Sequence, residues 1–206
     1  MKRMIHLSGI FLVISVLAFS QVKLGEKAPD FSAIDQEGKT WQLSENLQSG
    51  DYLVIYFYPA AFTGGCTAQA CSYRDQKSDL ESAGARVVGI SGDSPETLDL
   101  FAREHRLNFT LLSDESGEIA DLFGVPRKDG VVIEKEISGK TLNLPRGTTI
   151  QRWTFILDEK GTLIYKDSEV DATGDSDKVV EFLESLLGSM RKKGLDFPLH
   201  KVLKSI

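Results

Sequence analysis

The sequence predicts an α/β fold, a mixed sheet with helices on both of its faces. Three observations predict it. Two short runs, residues 52–58 and 85–91, are apolar almost throughout, as strands covered on both faces must be. Segments with apolar residues at helical spacing lie between and after such runs. The last two strand-like runs are joined only by Asp158-Glu-Lys-Gly161, a link short enough for an antiparallel hairpin. Strands connected through helices, plus one hairpin, make a mixed sheet.

The elements follow in order. Residues 22–41 read as an irregular lead-in with a turn at Gln36-Glu37-Gly38. The strand at 52–58 ends at Pro59, which has no N–H to give to a ladder. After a loop, a helix is expected from Cys66 to Ala83, with Gly84 placed to end it. The strand 85–91 comes next. Ser94 is placed to cap a helix, with Pro95 in its first turn. Leu98, Phe101, Ala102 and His105 fall on one stripe of that helix. Residues 109–113 form a third strand, and Asp114 can cap the short helix bearing Ile119, Leu122 and Phe123. Residues 126–149 have a poor pattern and read as a surface insertion, a hairpin turning at Asp129-Gly130. The strands 153–157 and 162–165 close the sheet. Val179, Phe182, Leu183 and Leu186 stripe a last helix, with Gly188 as its stop signal. A three-layer, thioredoxin-like sandwich fits this order.

The ends of the chain read differently from its middle. Lys2 and Arg3 precede an apolar run to Phe19, and Ala18-Phe19-Ser20 offers small residues before a cut at Gln21. That is the layout of a secretory signal peptide over residues 1–20. The run is short for a spanning helix, and Ser8, Gly9 and Ser15 dilute it. The expectation is therefore an exported protein, periplasmic in a cell with an outer membrane, with no stable membrane association after cleavage. Residues 21–206 are then one domain, ending in a basic tail over 188–206. Losing Lys2 and Arg3 leaves 22 basic against 30 acidic residues, a net charge of −8. That sign argues against general nucleic-acid binding.

The informative stretch runs from Tyr58 to Asp75 and holds both cysteines, Cys66 and Cys71. It follows a buried strand and opens a helix. A cysteine there meets unpaired N–H groups and the positive end of the helix dipole, surroundings that favour the nucleophilic thiolate. On an ideal helix, residues five apart have Cα atoms about 8.7 Å apart. A disulfide needs less than about 7 Å. The pair therefore suits a cycle, with the helix intact when reduced and its first turn unwound when oxidised. A plain structural disulfide, without a helix, would close a tiny loop and stabilise little.

Pro59-x-x-x-Thr63-x-x-Cys66, with Cys71 and Ser-Tyr-Arg-Asp after it, resembles the active-site motif of peroxiredoxins, in particular the bacterioferritin comigratory protein (PrxQ) subfamily. Gly25-Glu-Lys-Ala-Pro-Asp-Phe31, Phe109-Thr-Leu-Leu-Ser-Asp114 and Arg152-Trp-Thr-Phe-Ile-Leu-Asp158 extend the resemblance over residues 22–187. It implies a peroxidase of hydrogen peroxide and organic hydroperoxides. Cys66 would be peroxidatic and Cys71 resolving, through an intramolecular disulfide. Thr63 would orient sulfur and peroxide, Pro59 would shield the sulfenic acid, and Arg152 would stabilise thiolate and departing oxygen. The resemblance also implies a thioredoxin-like electron donor, a monomer, and no cofactor or metal. Three positions depart from the pattern. Gly64 replaces a usual proline, Gln69 leaves no charge where glutamate is common, and Trp153 is bulky beside Arg152.

Other readings of the cysteines stay open at this level. A thiol–disulfide exchanger of the same fold would usually carry C-x-x-C rather than C-x4-C. A cysteine hydrolase would need a histidine base, and after signal removal only His105 and His200 remain. Two cysteines without clustered partners make a weak metal site. A binding module is conceivable, but no feature suggests its ligand.

Overall fold

The computed structural model describes residues 21–48, 50–137 and 139–192. The predicted signal segment and the tail beyond Lys192 lie outside the described residues. The elements run β1 (Ser32–Asp35), β2 (Thr40–Gln42), α1 (Leu43–Asn46), β3 (Tyr52–Phe57), α2 (Gly64–Asp75), α3 (Lys77–Ser82) and β4 (Ala85–Ser91). There follow α4 (Pro95–His105), β5 (Thr110–Ser113), α5 (Glu118–Phe123), β6 (Arg127–Asp129), β7 (Val132–Ile137) and β8 (Lys140–Pro145). The chain closes with β9 (Thr148–Ile150), β10 (Trp153–Leu157), β11 (Leu163–Asp167) and α6 (Asp175–Lys192).

The main sheet has the order β11-β10-β3-β4-β5-β1-β2. Its centre, β3-β4-β5, is parallel, and its flanks are antiparallel. Every residue of β3 is buried. Side chains alternate along a strand, so β3 feeds two cores. Tyr52, Val54 and Tyr56 join Tyr73, Leu80, Leu98, Phe101, Val179 and Leu183 from α2, α3, α4 and α6. Leu53, Ile55 and Phe57 join Leu43, Ile119 and Phe123 from α1 and α5, with Phe31 and Trp41 beside them. Each such large side chain stabilises the fold by roughly 1.5–3 kcal/mol on burial. The predicted mixed sheet between two helical layers is thus the observed architecture.

Several local expectations are met. Gly84 adopts the left-handed φ of 71° that ends α3. Ser94 caps α4 by accepting the Thr97 N–H at 3.3 Å, behind Pro95. Others need correction. The lead-in is not irregular: β1 and β2 pair around the turn at Gly38, where the Asp35 side chain accepts the Glu37 and Lys39 N–H groups. These strands are too short to show a period. The helix expected at 66–83 starts earlier, at Gly64, and breaks at Gln76 into α2 and α3. Asp114 does bind the first turn of α5, at Ile119 and Ala120, but Gly117 holds the cap position. Gly188 does not stop α6, which continues to Lys192. A glycine inside a helix costs only about 1 kcal/mol, less than the apolar stripe contributes.

The insertion at 126–149 does not turn at Asp129-Gly130. It is a two-stage β-arm. β6 pairs with β9 at its base, β7 pairs with β8 beyond, and Gly139 (φ 76°) lies at its tip. Its inner side is buried at Ile137 and Leu144, which join the α2–α4–α6 core. The alternation of Leu142 and Leu144 carries that signal, but the charges of 134–136 mask it. At the base, the backbones approach closely. The Gly147 N–H donates to the Gly92 carbonyl at 2.9 Å, and a Cβ on Gly92 would lie 2.1 Å from the Thr148 oxygen.

One buried ion pair locks this junction. Arg146 Nε donates to Asp93 Oδ1 at 2.9 Å, with both side chains almost fully buried. Asp93 Oδ2 accepts from Ser91 Oγ and from the Ala61 N–H, each at 2.8 Å. The same carboxylate therefore ties the arm to the loop before α2. Removing one partner of a buried pair strands the other charge, at a cost of about 3–5 kcal/mol. Arg146→Ala is expected to lower unfolding free energy by that amount in denaturant titration. A loss below about 1 kcal/mol would show that the pair does not hold the arm.

Candidate active site

The first turn of a helix leaves backbone donors unpaired. Thr63 occupies the cap position of α2, and Cys66 is the third helical residue. Cys66 is only 1% exposed, and Arg152 Nη2 stands 3.2 Å from its sulfur. The sheet brings them together. β10 runs antiparallel to β3 with Trp153 opposite Phe57, so Arg152 sits beside the end of β3, where the loop to Cys66 begins.

That loop is held in an uncommon shape. Phe62 has a φ of 62°, a left-handed conformation that costs a bulky residue about 1–3 kcal/mol. Its ring packs on Phe101 (5.1 Å) and His105 (5.9 Å). Asp93 fixes the Ala61 N–H just before it. Just after it, Thr63 Oγ1 donates to the Ala60 carbonyl at 3.0 Å. Thr63 therefore makes no side-chain cap, and in this state its hydroxyl proton goes to the loop, not to the sulfur. Pro59 ends β3, half-buried at the head of the loop. His105 packs on Phe62 and Phe101 as a rim residue, and burial lowers the pKa of its imidazole.

Cys71 lies further along α2, half-buried, and both thiols are free. The helix is intact between them, so the ideal separation of about 8.7 Å between their Cα atoms applies. Arg74, bonded to Asp75 (2.8 Å) and to the His105 carbonyl (2.6 Å), also interacts with Cys71.

A buried polar group lies behind the arginine. Arg152 Nη1 donates to Gln69 Oε1, and Gln69 Nε2 donates to Asp175 Oδ2 at 2.6 Å. Tyr73 (2.7 Å) and Thr154 (2.9 Å) donate their hydroxyls to the same oxygen. Gln69 and Asp175 are fully buried. Burial pushes the Asp175 carboxyl above its usual range, and the bonds from Tyr73, Gln69 and Thr154 oppose it. A carboxyl group does stand beside Gln69, supplied by α6. Asp175 escapes a reading of sequence because a carboxyl at a helix start looks like a solvated cap. The contacts run on along α2: Gln69, Ser72, Tyr73 and Gln76 form one stripe, bonded to Asp175, Ser176, Asp175 and Asp177.

Trp153 is bulky but points away. It packs in the opposite core, under Lys166 Nζ at 4.3 Å from the ring centre. Gly64 has open space around it. A cleft of about 360 Å³ lies between Phe62, Gly64 and Thr67, the end of α4, and residues Lys135 to Ile137 of the arm. The insertion thus does border the approach to α2. Among the described residues, no three His, Cys, Asp or Glu side chains gather as metal ligands.

Known proteins resemble this chain over most of its length. The model of the AhpC/TSA family matches residues 24–166. The chain is 41% identical over 170 residues to a chloroplastic peroxiredoxin Q of Populus jackii, covering 82% of this chain and 71% of that protein. It is 39% identical over 163 residues to peroxiredoxin Bcp of Escherichia coli K12, covering 79% and 96%. The solved structure of peroxidoxin BcpB from Mycobacterium tuberculosis aligns with a TM-score of 0.66 at 32% identity, covering 81% and 99%. That of the Xanthomonas campestris bacterioferritin comigratory protein, described for its alkyl peroxide reduction activity, aligns at 0.61 and 28%, covering 76% and 91%.

A fixed cation beside the sulfur gives a direct test. Arg152→Ala is expected to slow the reaction of Cys66 with hydrogen peroxide by roughly 10²–10³-fold, as loss of one charge-stabilising donor does. Stopped-flow mixing of reduced protein and peroxide checks this. A rate within threefold of the parent would exclude the role.

Proposed function

The chain belongs to the AhpC/TSA family, as a peroxiredoxin of the Q and Bcp kind and so a thiol peroxidase, and on that premise we propose a complete cycle for its two cysteines. The observation that carries it is the 3.2 Å contact of Arg152 with buried Cys66, at the start of a helix that also bears Cys71. The Cys66 thiolate attacks the terminal oxygen of a hydroperoxide. The O–O bond breaks, water or an alcohol leaves with a proton, and a sulfenic acid remains on Cys66. Arg152 faces the charge that moves from sulfur to oxygen. Thr63 turns its hydroxyl from Ala60 to the peroxide, and Pro59 shields the sulfenic acid.

The second half of the cycle needs movement. The first turn of α2 unwinds, the Cys71 thiol attacks the Cys66 sulfur, and water leaves as the disulfide closes. The strained Phe62 hinge lies next to the segment that unwinds. A dithiol of the thioredoxin kind then takes up the oxidation by exchange and restores both thiols. Hydrogen peroxide and organic hydroperoxides are the substrates of this reading. Export directed by residues 1–20, a periplasmic site, and action as a monomer without a cofactor belong to the same proposal. They are supported by the layout of the N-terminal segment and by the subfamily resemblance.

Pre-reduced protein is expected to consume about one peroxide per chain rapidly, ending as a Cys66–Cys71 disulfide. Cys66→Ser is expected to abolish this. Cys71→Ser keeps the first step, then advances to sulfinic acid in excess peroxide, read by intact mass. Consumption no faster than by a free thiol would sink the cycle.

A further inference from the structure

The Asp175 cluster has no part in the cycle above, yet it is built on the residue that does. We propose that Asp175 is a positioning residue for Arg152, acting through the Gln69 amide. The inference rests on the peroxidase reading and deepens it.

The argument starts from the two ends of an amide. A Gln69 side chain free to rotate could offer its NH2 group to the guanidinium, donor against donor. Asp175 Oδ2 accepts from Gln69 Nε2 at 2.6 Å, so the carbonyl end is left facing Arg152 Nη1. The oxygen itself is fixed from two other sides, by Tyr73 of α2 and Thr154 of β10. Thr154 lies two residues beyond Arg152, on the same side of the extended chain. The carboxylate is thus tied to the strand that follows the arginine and to the helix that delivers the cysteine.

The guanidinium is a rigid planar fork. Holding Nη1 on Gln69 aims Nη2 at the Cys66 sulfur, 3.2 Å away. Gln69 links the carboxyl group to the arginine. Through Gln69, orientation is passed on while the positive charge stays turned to the thiolate. The role is therefore that of an acceptor, not of a charge.

The test compares rates of reduced full-length protein with hydrogen peroxide. The parent is measured first, and a parent no faster than a free thiol would fail the peroxidase reading before any variant is compared. Asp175→Ala is expected to be at least about tenfold slower, the loss of one bond in a charge-assisted chain. Asp175→Asn, which keeps an acceptor oxygen, should recover to within about threefold of the parent. Asparagine also keeps the shape of the side chain, so Asp175→Leu, which fills the site without an acceptor, separates the roles: it stays as slow as Asp175→Ala if the acceptor matters and recovers if only packing does. Gln69→Leu should match Asp175→Ala, and the double variant should be no slower than either, since one link is cut twice. A parent rate in Asp175→Ala, no rescue by asparagine, or multiplicative losses in the double variant would each overturn the proposal. Should Asp175→Ala fail to fold, a parent rate in Gln69→Leu overturns it equally.

Discussion

An intact helix holds Cys66 and Cys71 apart, and much of the site is arranged around that constraint. The geometry that places Cys66 at unpaired N–H groups also denies it its partner. On the proposed cycle, activation and resolution therefore need different backbones. The loop before α2 is built accordingly. Asp93 grips Ala61, Thr63 grips Ala60, and Phe62 between them holds a left-handed φ. The strained Phe62 lies next to the turn that opens in the proposed cycle.

The arm over residues 126–149 shares in this arrangement. It reaches the loop through the buried pair Arg146–Asp93, and its strand β7 borders the cleft beside Gly64 and Thr67. What reads in sequence as a charged excursion is, at its base, part of the frame that sets the loop. The close backbone approaches at Gly92 and Gly147 leave it little freedom to swing there.

Where one residue pattern dictated one environment, the sequence was readable. β3 carries an unbroken apolar run and β4 a nearly unbroken one because both faces are covered, and the stripes of α4 and α6 face one core. The cysteine motif stood out because the chemistry narrows the residue types, and Arg152 was named through the resemblance to peroxiredoxins. Less legible were elements fixed by partners from far along the chain. β1 and β2 are too short to show a period, and Gly188 is carried through α6 by the helix around it. Asp175 looks like a cap until Gln69, Tyr73 and Thr154 are seen converging on it. Trp153 is a departure in residue type only. Strand alternation sends it to the core opposite Arg152, so its bulk does not crowd the site.

The stripe of bonds between α2 and the start of α6 has a further consequence, in electrochemistry. Gln69, Ser72, Tyr73 and Gln76 all engage α6 when α2 is folded. Each of these bonds that breaks as the disulfide closes adds free energy in favour of the dithiol. A disulfide whose reduced form is stabilised is the stronger oxidant, with about 30 mV of reduction potential for each 1.4 kcal/mol. On the proposed cycle, whatever part of this docking is lost as the disulfide closes raises the potential at which the protein accepts electrons.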